Sequence, residues 1–390
     1  MEPLEDNSKI KNRLFIGILF LLFIPLILEV TEVIKIKPLD GSYAEPINPE
    51  FSMSKWFDGS YQVNKEDYLG ESIYLKPVFV RIYNQYYYSF YTIAKANSVV
   101  IGKSSYLYEK NYIKAYLGRD FIGRDAVETK VRKLKQVVDT LKTKGVDLIV
   151  VFAPGKASFY PDYIPDRYNP NHKTTTNYEV YNESLLKSNI HYIDLNSWFV
   201  SKKSTSEYPL FPKTGIHWSV YGELLAADSI LRYINSISND KKVPHLTIGA
   251  IEKSTVMRAT DDDIEKGMNL LFNIPDLEMG YPTYSLKSDS GFVQPKVLTI
   301  ADSYFWGMFN WGLSRDAFGG GQFWYYNEAI YPDSYESPIK VSEINITNEV
   351  EKNEVVILMS TDANLNKFAF GFLDQLHEAY FPSKTRFKVD

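Results

Sequence analysis

Two short stretches carry residue types that can do chemistry together. Residues 213–223 read KTGIHWSVYGE, and residues 297–307 read VLTIADSYFWG. The first presents His217 on a Gly-Ile-His-Trp turn just before Ser219, a residue type that caps helices. The second carries Asp302-Ser303 at the end of an apolar run, the pattern of a buried strand. A strand-end serine becomes a nucleophile once a base accepts its proton, and the backbone N–H groups of the next turn are candidates for an oxyanion hole. Taken alone, such a serine is more simply a helix cap. Its pairing with a loop histidine is what points to catalysis. The other four histidines offer less: His172 lies in a polar loop, His191 opens a strand, His245 follows a proline, and His377 lies in the last amphipathic stretch. The glycines of a G-x-S-x-G elbow are absent, because Ala301 and Phe305 stand there. Gly102-Lys103-Ser104 resembles the end of a phosphate loop, but Asn97 occupies the position that needs glycine.

Alternating strands and helices must hold these residues. Val127, Val131, Leu134, Val138 and Leu141 recur at helical spacing and predict a helix over 124–144, stopped by Gly145. VDLIVVFAP (146–154), NIHYIDL (189–195), KVLTIADS (296–303) and EVVILMST (354–361) read as buried strands. SVVIGKSSYLY (98–108) reads as strand, turn and strand, Ser219 caps a helix running through Ile234, and 365–380 is an amphipathic helix. This alternation predicts an α/β fold, a mostly parallel sheet with helices on both faces. Ligands of such sheets gather at the carboxyl ends of strands, where Ser303 stands.

The bulk numbers narrow the function. A net charge of −5, with no basic surplus in one place, argues against nucleic acid as a partner. The absence of cysteine removes disulfides, thiolate metal sites and cysteine nucleophiles. No metal or organic cofactor is expected. Leu14 to Leu28 is an uncharged apolar run preceded by Lys9, Lys11 and Arg13, and no small-x-small cleavage pattern follows it. It predicts a membrane anchor with its basic flank inside, leaving the bulk of the chain on the periplasmic or extracytoplasmic side. The expected organisation is a cytoplasmic tail and anchor over 1–36, a linker and irregular layer over 37–97, and the α/β domain over 98–390.

Four segments resemble the SGNH-hydrolase-like domain of the alginate O-acetyltransferase family and related membrane-anchored polysaccharide acetylation proteins. They are VVIGKSSYLY (99–108), VVFAPGKASFYPDYIP (150–165), TGIHWSVYG (214–222) and VLTIADSYF (297–305). His217 precedes Ser303, which is the order of the permuted branch of that fold. The resemblance implies that Ser303 carries acetyl as an ester, that His217 shuttles the proton, and that Asp302 shapes the turn while Trp218 anchors its loop. Lys156 and Tyr160 match a Lys-x-x-x-Tyr pattern and are candidates for holding a sugar or supporting the loop. Trp306, with Trp311, Trp324, Tyr325 and Tyr326, is a candidate for a glycan groove or for core packing. A multi-spanning membrane acyltransferase and a polysaccharide acceptor are the implied partners. The family places an aspartate two residues before the histidine, where this chain has Gly215. A backbone carbonyl, Asp194 or Glu223 is then left to orient His217, or activity is reduced or lost. Asp261-Asp262-Asp263 reads as a solvated helix start. O-acetyl transfer to an envelope or exported polysaccharide leads this reading. Its alternatives are a glycan acetylesterase and a non-catalytic glycan-binding scaffold.

Overall fold

The computed structural model describes residues 5–31, 33–41, 46–238, 241–288, 293–331 and 339–382. Two compact units divide the chain: residues 1–97 with 265–273, and residues 98–264 with 274–390.

The first unit holds α1 (Glu5–Thr31), α2 (Met53–Phe57), α3 (Ser60–Ser72) and α4 (Lys76–Tyr91). α1 is long and apolar enough over Asn7–Thr31 to cross a membrane. Residues 53–91, read from sequence as irregular, are mostly helical. Their apolar positions lack a sharp stripe because no residue of α2, α3 or α4 is buried. The unit is held by side-chain to backbone bonds: Arg81 donates to the carbonyls of Lys37 and Pro38, and the Asn84 amide donates to that of Met268 at 2.8 Å.

In the second unit the antiparallel pair β1 (Val99–Ile101) and β2 (Leu107–Glu109) leads into α5 (Lys110–Tyr116). Then come α6 (Arg124–Thr143), β3 (Asp147–Ala153), α7 (Lys156–Phe159), α8 (Asn177–Leu186), β4 (His191–Asp194), α9 (Leu195–Lys202) and α10 (Val220–Ile237). The predicted stripe of α6 is buried, and Gly145 takes the left-handed φ of +79° that ends it. A second antiparallel pair, β5 (His245–Ser254) with β6 (Met279–Lys287), brackets an excursion containing α11 (Asp263–Met268). The chain continues through β7 (Val297–Ala301), α12 (Phe305–Asn310), α13 (Leu313–Asp316), β8 (Gln322–Tyr325), β9 (Ala329–Tyr331), β10 (Ile339–Lys340), α14 (Ile346–Val350), β11 (Val355–Thr361) and α15 (Phe372–Tyr380). The helix expected over 365–380 is helical as α15 only from Phe372, and Asp362–Lys367 forms 3₁₀ turns.

Seven strands form one sheet in the order β10-β9-β8-β7-β11-β3-β4. β8, β7, β11, β3 and β4 are parallel, and β9 and β10 pair antiparallel at one edge. Every residue of β7 and β11 is buried, as a sheet covered on both faces requires. Successive strands run outward in opposite directions from β3 and from β7, with β11 inserted between them. The crevice at their carboxyl ends is therefore the topological switch point, where such sheets bind ligands. Ser303 follows β7, Lys156 follows β3 and Asp362 follows β11.

Candidate active site

Ser303 is half-buried two residues beyond β7, in a turn fixed by its neighbour. Asp302 is fully buried, and its Oδ2 accepts three bonds of 2.8 Å, from the Thr361 N–H, the Thr361 hydroxyl and the Asn364 amide. Its Oδ1 accepts from the Tyr304 N–H at 3.2 Å. With both oxygens occupied, Asp302 ties the Ser303 turn to the end of β11. The next N–H groups are also committed: Phe305 donates to the Asp302 carbonyl and Trp306 to that of Ser303. In the turn expected to offer oxyanion donors, the N–H groups of Tyr304, Phe305 and Trp306 are spent on Asp302 and on the turn's own backbone.

His217 arrives on the turn before α10. Ser219 caps that helix by accepting from the Gly222 N–H at 3.0 Å. His217 Nε2 lies 2.9 Å from Ser303 Oγ, and Nδ1 lies 2.5 Å from Asp263 Oδ2. A proton on Nδ1, given to the carboxylate, leaves Nε2 to accept from the serine hydroxyl. Burial pulls the imidazole pKa down. The charge and hydrogen bond of Asp263, with Asp302 and Glu109, outweigh it and hold His217 above its ordinary value.

The carboxylate facing His217 Nδ1 is Asp263, the first residue of α11, and not Asp194 or Glu223 as weighed from sequence. Its Oδ1 also accepts from the Ile216 N–H at 2.8 Å, so one carboxylate fixes both the imidazole and the turn carrying it. The Asp261–Asp263 run is not a solvated helix start. Asp261 is fully buried, and Asp263 keeps only 25% of its side chain exposed. Gly215 stands where an aspartate is absent for a steric reason: a Cβ there would meet the Thr260 carbonyl oxygen at 2.5 Å and that of Asp261 at 2.7 Å. The segment that supplies the acid fills the space. Asp194 instead caps α9 by accepting from the Ser197 N–H, and Glu223 accepts from the Trp311 indole at 2.8 Å. Neither orients His217.

Lys156 and Tyr160 are not available to a sugar. Lys156 is fully buried, and its Nζ donates to the Lys213 carbonyl at 2.7 Å and to that of Gly215. Burial lowers its pKa to about 7, opposed by the charges of Asp276 and Asp263. The lysine clamps the His217 turn from below. Tyr160 is buried, and its ring packs on Phe159 and Tyr106. Trp218 is buried between Phe199 and Tyr304, and the Tyr304 hydroxyl donates to the Ile216 carbonyl at 2.7 Å. Trp306 is half-buried against Phe323, Tyr325 and Tyr331, with centroids 4.8–5.2 Å apart. Trp324 is core. Among the described residues no group of three or more His, Cys, Asp or Glu side chains has the arrangement of a metal site.

Residues 99–257 match the family model described as SGNH hydrolase-like domain, acetyltransferase AlgX. The match includes His217 and ends before Asp263 and Ser303. Nothing matches among curated proteins. Solved structures with similar folds include the O-acetyltransferase domain of Pseudomonas putida AlgJ, 14% identical at a TM-score of 0.44 over 72% of this chain and 99% of that one. Pseudomonas aeruginosa AlgX is 16% identical at 0.43 over 71% and 67%, and Bacillus cereus PatB1 is 13% identical at 0.41 over 64% and 93%. By the match of its own sequence, the segment 99–257 is similar to the SGNH hydrolase-like domain of the acetyltransferase AlgX.

Proposed function

We propose that the protein is an O-acetyltransferase acting on a cell-envelope or exported polysaccharide through an acetyl ester on Ser303. The observation that carries this is the continuous relay from Ser303 Oγ through His217 to Asp263. In the first half-reaction His217 Nε2 takes the Ser303 proton as Oγ attacks the acetyl carbonyl carbon. The tetrahedral adduct then collapses, the bond to the donor's leaving group breaks, and His217 returns the proton to that group. In the second half, an acceptor hydroxyl gives its proton to His217 and attacks the ester. Collapse releases the acetylated sugar and restores the serine hydroxyl. Asp263 stabilises the imidazolium present in both steps and fixes the tautomer that makes Nε2 the base. Asp302, Lys156 and Trp218 hold the geometry without touching the reacting atoms.

The family match supports acetyl chemistry, and α1 supports an anchored protein whose bulk faces the extracytoplasmic side. A multi-spanning membrane acyltransferase is the proposed source of acetyl groups. The Asp263 carboxylate at His217 Nδ1 favours catalysis over a non-catalytic scaffold, because Gly215 then does not leave the imidazole without an acid. The test is incubation of the full-length protein with an activated acetyl ester, with and without a polysaccharide. Mass analysis should find one acetyl group on the Ser303 peptide, passed to polysaccharide and absent in Ser303→Ala. Ester turnover with water as the only acceptor makes the protein an esterase. No turnover, and no change of glycan acetylation in cells carrying Ser303→Ala, refutes catalysis.

A further inference from the structure

The first unit exposes a run of large apolar side chains on α2 and just before it. Phe57 is 83% exposed, Met53 66%, Phe51 57% and Trp56 47%. Monomeric soluble proteins rarely leave such contiguous apolar surface in water. The rings of Phe51, Trp56 and Tyr61 touch one another, with centroids 5.2–6.1 Å apart, so they form one cluster.

The position of this cluster relative to α1 identifies what covers it. The uncharged stretch Leu14–Leu28 ends at Glu29, the first charged side chain past the apolar run. Glu29 lines the same groove as Trp56, Tyr61 and Lys65. The Tyr74 hydroxyl donates to the Ile34 carbonyl, which holds the chain just beyond α1 against the start of α4. The span Asn7–Thr31 covers 25 residues. At about 1.5 Å per residue this is about 37 Å, slightly more than a hydrocarbon core of about 30 Å. The residues beside Glu29 thus lie where the helix leaves the hydrocarbon, the depth at which tryptophan and tyrosine are favoured. Lys55, exposed on the same short helix, carries a positive charge to the level of lipid phosphates.

We infer that α2 and the start of α3 lie in the lipid headgroup layer, with Trp56, Phe57 and Phe51 inserted at the boundary with the acyl chains. This rests on the reading of α1 as a retained anchor. The occupant is lipid, and no second protein is needed to cover the face.

The experiment uses the full chain in phosphatidylcholine vesicles and tryptophan emission, with bromine placed near the carbonyl end or near the methyl end of the acyl chains. The chain has six tryptophans, of which only Trp56 lies in the first unit. The expected result is a loss of emission that is greater with the shallow bromine and disappears in Trp56→Phe, a change that keeps an aromatic ring. Phe57→Asp, on the most exposed apolar side chain of α2, should weaken the quenching of Trp56. Absence of quenching, or quenching that persists in Trp56→Phe, overturns the proposal. Intact mass of the same sample reads the anchor separately: a chain beginning after Thr31 overturns both.

Discussion

Asp263→Asn tests the relay at the residue that no local pattern announced. The substitution keeps volume and removes charge. In the native site Asp263 Oδ2 is 2.5 Å from His217 Nδ1, with 25% and 15% of the two side chains exposed. Two unit charges with centres about 4 Å apart interact by about 4 kcal/mol at an effective dielectric of about 20. Partial exposure trims that figure, and the imidazole is charged only as the reaction proceeds. At about 1.4 kcal/mol per tenfold, the charge alone accounts for a loss of about 10²–10³ in turnover. An asparagine that turns its amide toward Nδ1 favours the wrong tautomer and takes the loss toward about 10⁴, the scale of the corresponding change in a serine protease triad. The assay is steady-state release from an activated acetyl ester as a function of pH, with circular dichroism to confirm folding. Turnover within about tenfold of the parent, on an unchanged pH profile, refutes Asp263 as the acid. Gly215→Asp makes the complementary comparison. Its Cβ meets two backbone carbonyl oxygens within 2.7 Å, so an acid added there lowers stability and turnover instead of raising either.

The pH profile offers a second test. Because His217 titrates above the ordinary imidazole value, the limb on which activity rises with pH should be centred above about 6.5. It should move down in Asp263→Asn, where burial acts with less opposition. Lys156→Met removes the clamp beneath the His217 turn and should lower kcat by about ten- to a hundredfold with little change in KM, read on the same substrate. Burial raises the Asp261 carboxyl to about 7, so the folded state favours its protonated form and native stability falls as pH rises from about 4 to about 7. Asp261→Asn mimics the protonated form, and denaturant titration should show its advantage growing across that window and absent below it.

Much of the sheet was readable because buried parallel strands are continuous apolar runs that helices separate. Ser303 and His217 were readable for a related reason: a strand end and a helix cap are local features, and each residue sits on one. Asp263 had no such marker. Three consecutive aspartates look alike in sequence, and only the fold of the β5–β6 excursion aims the third at an imidazole 46 positions earlier while burying the first. Lys156 was legible only as a choice between holding a sugar and supporting the loop, because lysine is a surface residue by default. Its two carbonyl partners lie 57 and 59 positions away and become visible only when the turn is built. Helices α2, α3 and α4 were missed because periodicity reports burial, and none of their residues is buried.

The place of β11 sets an order of events as the chain emerges from its amino end. Synthesis runs from the amino end, so β3, β4, β7 and β8 all exist before Val355–Thr361 is made. β11 is the strand that joins β3 to β7, in parallel register with both. Until it is made, two half-sheets present the edges that should meet at the centre. The nucleophile's turn also lacks Thr361 and Asn364, the residues that secure Asp302. Closing the sheet then requires contacts across long loops, whose entropy slows folding. A chain ending before residue 355 would carry every residue of the relay and yet lack the strand and the Asp302 partners that hold the nucleophile's turn.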